Sequence, residues 1–157
     1  MNRLLAVTII ALAATSMLLN TSCSGPEDSQ VAIAETRLAS SHGNAPIKWA
    51  SDWKTALERA DSEDKAVLVT FYADWCIWCK RLENTTLANA KVVAYLTENV
   101  VPIRLDVDNE GRTLSNNYRV DGLPTVLVLN ARGKEIGRIP GYLPPDGFLD
   151  RVRAFLG

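Results

Sequence analysis

The sequence is poor in the residues that most often bind metals or form strong charge patterns. It has one histidine, two methionines and three cysteines in 157 residues, and its 17 basic and 18 acidic residues give a formal net charge of −1. This balance gives no reason to expect a nucleic-acid partner. The one histidine, His42, lies in a polar stretch, where a solvated residue is expected rather than a catalytic one. Because 47% of the residues are hydrophobic, the chain can nevertheless bury the core of one globular domain.

Residues 1–22 have the composition of a secretory signal peptide. Arg3 supplies the positive charge at the start, and an apolar stretch runs from Leu4 to Leu19. This stretch is shorter than the roughly 20 apolar residues of a membrane span, and small polar residues follow it at once. We therefore predict export from the cytosol, with a retained N-terminal anchor helix as the alternative.

One of the three cysteines, Cys23, directly follows the predicted signal. Residues 19–23, which read LNTSC, resemble the cleavage site of bacterial lipoproteins, so we expect Cys23 to become an acylated first residue and a lipid anchor. Asn20 departs from that pattern, since an aliphatic residue is usual there. Residues 32–34 (AIA) offer ordinary signal cleavage as the alternative. The segment 23–45 is mostly polar and small, which predicts a flexible linker.

From residue 46 to residue 157 the hydrophobic pattern predicts one folded α/β domain. Helices are expected where apolar residues recur at helical spacing, and strands where they run together or alternate. In chain order these elements are a helix capped by Ser51 or Asp52, strand 66–72, a helix from Cys76 that continues or resumes towards residue 98, an alternating strand 101–107, a helix around 114–118, strand 125–129, strand 134–139 after a turn, and a helix over 148–156.

This order of elements predicts a mixed central sheet with helices on both faces, because helices between strands favour parallel pairing and the closing hairpin is antiparallel. Pro102 cannot donate to a ladder, so we expect it near a strand start or at a sheet edge. Residues 47–49 are a candidate for one further short strand.

Two cysteines, Cys76 and Cys79, lie where the strand 66–72 gives way to a helix. Two thiols at this spacing can cycle between a dithiol and a disulfide, and the partial positive charge of a helix N-terminus stabilises a thiolate on the first. The second cysteine, one turn on, can then attack a mixed disulfide that the first has formed. The pair therefore favours a redox protein that needs no cofactor and no metal. A C-x-x-C pair also occurs in metal sites, so a module that binds a soft metal such as copper is the alternative.

The residues around the cysteines resemble a known family. Residues 72–80 read YADWCIWCK, and GLPT at residues 122–125 precedes a further strand. Together these motifs resemble the thioredoxin fold, and within it the C-terminal periplasmic domain of the DsbD thiol:disulfide interchange proteins, over roughly residues 46–157. The resemblance implies that Cys76 attacks a substrate disulfide and that Cys79 resolves the mixed disulfide. It also implies that Pro124 is a cis-proline beside the cysteines, with the backbone of Leu123 available to pair with a substrate chain.

The resemblance also shows where this sequence departs from its relatives. Many of them carry a buried aspartate, which assists proton transfer from the second cysteine, at the position of Thr70. Glu83 lies four residues after Cys79, on the same helix face, so we hypothesise that Glu83 or water partly replaces that acid; a solvated surface glutamate is the alternative. Trp78, between the cysteines, is expected to be exposed and to position the substrate, whereas Trp75 serves either the same surface or the core.

We therefore predict an exported thiol–disulfide oxidoreductase in the periplasm or cell envelope of a bacterium, which reduces disulfides of envelope proteins. The resemblance implies that a separate, membrane-bound protein donates the electrons. Ile77 and Trp78 are uncharged, which leaves thiolate stabilisation largely to the helix terminus and favours a reductant over a strong oxidant. Net oxidation or isomerisation by the same cysteines and a non-enzymatic copper-binding module are the alternatives.

Overall fold

The computed structural model of the protein describes residues 46–157. The predicted signal segment 1–22, Cys23, and the predicted linker with His42 lie outside the described residues. The described elements follow each other in the order α1 (Trp53–Ser62), β1 (Ala66–Tyr72), α2 (Ile77–Arg81), a π-helical turn (Leu82–Thr86), α3 (Ala90–Asn99), β2 (Val100–Asp106), α4 (Arg112–Asn117), β3 (Thr125–Leu129), β4 (Glu135–Pro140) and α5 (Pro145–Leu156). This order confirms the predicted α/β class and the predicted succession of helices and strands.

The four strands form one mixed sheet in the order β2-β1-β3-β4. Strand β1 pairs in parallel with β2 and antiparallel with β3, and β4 pairs antiparallel with β3. Strand β1 is therefore interior to the sheet, and residues 67–71 are all buried because helices cover both of its faces. The two cysteines come shortly after the C-terminal end of this strand.

Pro102 lies in β2, which is an edge strand of the sheet as predicted. The backbone N–H of Ala50 donates to the carbonyl oxygen of Pro102 (2.8 Å), but Pro102 has no N–H with which to extend this contact into a ladder. The predicted short strand at residues 47–49 is accordingly wrong. The alternating stretch is a strand as predicted, and its buried positions include Pro102 and Asp106. The turn that follows β2 covers Asp106 and donates hydrogen bonds to its carboxylate.

Two clusters of buried side chains attach the helices to the sheet. Alternate residues of β1 enter opposite clusters, with Val67, Val69 and Phe71 packed in the cluster of α1 and Leu68 in that of α3 and α5. Full burial of one such side chain contributes roughly 1.5–3 kcal/mol. This packing confirms the prediction of helices on both faces.

Helix α1 begins after Asp52, which is its N-cap. Asp52 Oδ1 accepts a hydrogen bond from the backbone N–H of Thr55 (2.9 Å), and Oδ2 accepts from the hydroxyls of Thr55 and Ser51, both at 2.7 Å. These hydrogen bonds, the one from the Thr55 backbone foremost, lower the pKa of Asp52 to about 2. Of the two predicted caps, Asp52 is therefore the one used.

The helical stretch after the cysteines is interrupted and then resumes. The N–H of Leu87 donates to the carbonyl of Leu82 (2.9 Å), which closes the π-helical turn. Asn89 then caps α3 through its side-chain oxygen, which accepts from the backbone N–H of Lys91 at 3.0 Å. The hydroxyl of Thr86 donates to the carbonyl of Leu143 (2.6 Å) and so ties this turn to the loop before α5.

Candidate active site

Cys76 and Cys79 are joined by a disulfide at the start of α2. The S–S distance is 2.08 Å and the two Cα atoms are 5.2 Å apart. Cys76 is the N-cap of α2, and its own N–H donates to the carbonyl of Ala73 (3.0 Å). The backbone N–H of Cys79 points at Cys76, with 3.1 Å to the carbonyl oxygen and 3.1 Å to Sγ. The pair that the sequence singled out is thus one redox-capable unit.

Exposure does not distinguish the two cysteines, because Cys76 is 5% exposed and Cys79 is 6% exposed. Their helical positions do distinguish them. The Cys76 sulfur lies at the helix start and has a backbone N–H directed at it, whereas Cys79 lies in the first turn. Both the N–H and the helix terminus favour negative charge on Cys76 Sγ once the disulfide is reduced.

The loop 122–125 brings Leu123 beside the cysteines. Leu123 packs against the small cluster of Ala73, Cys76 and Cys79. The Leu123–Pro124 peptide bond is cis, in agreement with the resemblance. The loop is fastened on both sides, since the Thr125 hydroxyl donates to the carbonyl of Gly122 (2.7 Å) and the N–H of Gly141 donates to that of Pro124 (2.7 Å).

Large apolar side chains surround the disulfide and face solvent. Trp75 is 71% exposed, Ile77 74% and Trp78 51%. The Trp75 indole N–H donates to Asp108 Oδ2 (2.8 Å), which holds that ring at the surface. Trp78 is thus exposed as predicted, whereas core packing of Trp75 is ruled out. Exposed apolar groups that adjoin one another mark an interaction surface.

A groove opens on the Trp78 side of the disulfide. Its lining consists of Trp78, Leu123, Gly141 and Tyr142, and its volume is about 360 Å³. The rings of Trp78 and Tyr142 lie 6.0 Å apart, and the guanidinium of Arg81 lies over both. Sequence reasoning identified Trp78 and Leu123 but missed Arg81 and Tyr142. The position of Arg81 at i+3 from Trp78 was the one local signal for a contact between them.

Glu83 forms an ion pair with Arg104 of β2. Its Oε1 accepts from Arg104 Nη1 at 2.5 Å. The Arg104 guanidinium also lies 4.4 Å from the ring centroid of Tyr72 and 5.6 Å from that of Trp49. Arg104 was missed by the sequence reasoning, although it is a basic residue in an otherwise apolar strand. The role of Glu83 in proton transfer stays a prediction.

Thr70 lies in the interior strand β1, opposite Arg104 in the register of β1 and β2. It is 4% exposed, and its hydroxyl has no hydrogen-bond partner among residues 46–157. Burial also raises the pKa of the nearby Tyr72 hydroxyl, an effect that the positive charge of Arg104 opposes. The strand that precedes the cysteines therefore carries one buried hydroxyl without a hydrogen-bond partner among the described residues.

Across residues 46–157 no group of three or more His, Cys, Asp or Glu side chains is arranged to hold a metal ion. In the same part of the chain no helix has the length and apolar character needed to cross a membrane.

Comparison with known proteins places this geometry in context. The family model described as a thioredoxin-like domain matches residues 53–156. The thiol:disulfide interchange protein DsbD of Pseudoalteromonas atlantica is 32% identical over 115 residues, which cover 70% of this chain and 19% of that protein. The chain thus spans about a fifth of the length of the curated relatives it matches.

Two solved structures extend the comparison. A thioredoxin from Thermus thermophilus has a TM-score of 0.64 and 29% identity, with 70% of this chain and 87% of that chain covered. The oxidised C-terminal domain of Neisseria meningitidis DsbD has a TM-score of 0.56 and 26% identity, with 70% of this chain and 98% of that chain covered.

Proposed function

This chain belongs to the thioredoxin-like domain family, and from that premise we propose that it is a thiol–disulfide oxidoreductase whose working groups are Cys76 and Cys79. One observation carries the proposal: a disulfide at the start of α2 lies against the Leu123–Pro124 loop and beside an exposed apolar groove. The similarity to DsbD supports the same activity.

In the reductive direction Cys76 is the nucleophile. Its thiolate attacks one sulfur of a substrate disulfide, the substrate S–S bond breaks, and the first substrate thiolate leaves and takes up a proton from solvent. Cys79 then loses its proton and attacks Cys76 Sγ, which forms the Cys76–Cys79 disulfide and releases the second substrate thiolate. Two electrons pass to the substrate, and the dithiol of the protein is oxidised.

The local geometry supports this assignment of roles. The backbone N–H of Cys79 lies 3.1 Å from Cys76 Sγ, so it is placed to donate to the thiolate that starts the reaction. Leu123 packs beside the same sulfur pair, and Trp78 lines the groove on one side. A substrate chain bound along Leu123 would present its disulfide to Cys76. Glu83, or water, would take the proton from Cys79.

The setting of the reaction is the bacterial periplasm or cell envelope, with disulfide-bearing envelope proteins as substrates. The predicted signal 1–22 and the similarity to a periplasmic DsbD domain support this location. A separate membrane-bound protein would return the dithiol to the reduced state. Acylation of Cys23 would hold the domain at a membrane; mass spectrometry of the mature protein tests this directly, since an unmodified residue 23 would contradict it.

Insulin reduction with a regenerating reductant tests the activity. We expect the full-length protein to accelerate the reaction, the Cys76→Ser variant to lose the acceleration, and the matched Cys23→Ser variant to keep it. Full activity in Cys76→Ser would contradict the mechanism, and no activity in the wild type would favour the metal-binding alternative.

The direction of electron flow is tested by the potential of the Cys76–Cys79 couple against glutathione. A potential near the value of about −270 mV of thioredoxin supports a reductant, and one near the value of about −120 mV of DsbA supports net oxidation.

A further inference from the structure

The Arg81 guanidinium lies over two neighbouring aromatic rings, Trp78 and Tyr142, which both line the groove. Its guanidinium carbon lies 5.3 Å from the ring centroid of Trp78 and 5.0 Å from that of Tyr142. The Tyr142 hydroxyl lies 3.3 Å from that of Thr85, which donates to the Arg81 carbonyl (2.7 Å). The cation and both rings therefore form one ordered unit, in which each ring attracts the guanidinium.

Arg81 differs from the other stacked arginines because it has no carboxylate partner within residues 46–157. Arg104 also lies over aromatic rings, but it pairs with Glu83. Arg153 lies over Tyr95, but it is 3.9 Å from Asp150. Arg81 is exposed, so its guanidinium can donate hydrogen bonds to a partner that brings an acceptor.

The two sides of the disulfide differ in charge. On the Trp75 side both signs of charge are present, because Asp108 accepts from the indole N–H and Arg112 and Asp121 line the adjoining pocket. On the Trp78 side stands Arg81, next to the groove that Trp78, Leu123 and Tyr142 line. Leu123, which lines this groove, also packs against the small cluster that contains both cysteines, so the groove adjoins the disulfide.

We propose that Arg81 selects substrates whose reacting disulfide is followed or preceded within a few residues by an aspartate or glutamate. The apolar part of the substrate segment occupies the groove, and its carboxylate accepts two parallel hydrogen bonds from Arg81. This inference rests on the proposed function, since it names the chemistry of the segment that the Cys76–Cys79 couple reduces.

The test uses self-quenched fluorescent peptide dimers that are joined by one disulfide and carry Glu, Gln or Lys two residues before or after the cysteine. The second-order rate constant for their reduction by the reduced full-length protein is measured at low and high salt. At low salt we expect the Glu peptide of one series to react about fivefold faster than its Lys counterpart, as suits one exposed ion pair. High salt should shrink this ratio because it screens exposed charges.

Substitutions assign the preference to Arg81. Arg81→Gln should bring the Glu-to-Lys ratio close to one, Arg81→Glu should invert it, and Arg81→Lys should keep part of it. Arg153→Gln is the matched control, because it removes an arginine stacked on a ring away from the groove, and it should leave the ratio unchanged.

The outcomes separate this inference from the function beneath it. Equal rates for Glu and Lys peptides in the wild type, or a ratio that survives Arg81→Gln, would overturn the role of Arg81 while leaving thiol–disulfide exchange standing. Failure to reduce any peptide would overturn the proposed function itself, and the substrate preference with it.

Discussion

Replacing Thr70 by valine should stabilise the protein, because it removes a buried hydroxyl that has no partner among the described residues. An unsatisfied buried polar group costs about 1–3 kcal/mol, and the methyl that replaces it adds roughly 0.8 kcal/mol of apolar burial. Valine and threonine have nearly the same shape, and both favour a strand, so little strain opposes the gain. We expect the free energy of unfolding to rise by about 2 kcal/mol. This raises the urea midpoint by about 1 M if the free energy of unfolding falls by about 2 kcal/mol per M of urea.

Thr125→Val is the matched control for this prediction. Thr125 is 3% exposed in the adjacent strand β3, but its hydroxyl donates to the carbonyl of Gly122 (2.7 Å). Its loss should lower the free energy of unfolding by about 1 kcal/mol. Urea unfolding of the oxidised proteins, followed by tryptophan fluorescence, measures both changes. A Thr70→Val variant less stable than the wild type would refute the reasoning, since it would mean that the hydroxyl is bonded in the folded protein.

Three further predictions concern packing, pH and proton transfer. Gly137→Ala should lower the free energy of unfolding by about 1–3 kcal/mol, because a Cβ there would lie 2.1 Å from the Phe155 ring. Gly147→Ala, in a helix with open space around it, should raise the free energy of unfolding by about 0.5 kcal/mol. Equal urea midpoints for the two variants would contradict both expectations. The stability advantage of the wild type over Asp52→Ala should be complete above about pH 4 and fall towards pH 2, since the folded pKa of Asp52 is lowered from 3.8 to about 2; an advantage constant over this range would contradict the hydrogen-bonded cap. Glu83→Gln should slow the resolution of a mixed disulfide by Cys79 up to about 100-fold near neutral pH; an unchanged pH profile would remove Glu83 from the proton path.

The succession of elements could be predicted because it depends on local patterns. The apolar run 66–72 is a strand buried on both faces. A strand that helices cover on both faces needs apolar side chains at successive positions, whichever helices cover it. The disulfide between the two cysteines could also be predicted, because it depends on a separation of only three residues in the sequence. The edge position of Pro102 could be predicted from its residue type alone, because a residue without a backbone N–H is found at sheet edges.

The features that were missed depend on contacts distant in the chain. The exposed Trp75 ring donates its indole N–H to Asp108, 33 residues away, and no local pattern specifies that partner. The stack on Arg81 requires Tyr142, which comes from the segment after β4 and meets the helix of Trp78 only in the folded domain. The segment 47–49 has the composition of a strand. It lies beside the edge strand β2, where Pro102 has no backbone N–H to donate to a ladder.

The central claim is that Cys76 attacks and Cys79 resolves, and trapping of mixed disulfides tests it most directly. The reduced full-length Cys79→Ser and Cys76→Ser variants are mixed with a disulfide-bearing protein, and the covalent adducts are located by peptide mass spectrometry. We predict rapid, persistent adducts on Cys76 in the Cys79→Ser variant and few on Cys79 in the Cys76→Ser variant, because the N–H and the helix terminus favour the Cys76 thiolate. Adducts that form on Cys79 as fast as on Cys76 would contradict this assignment of roles.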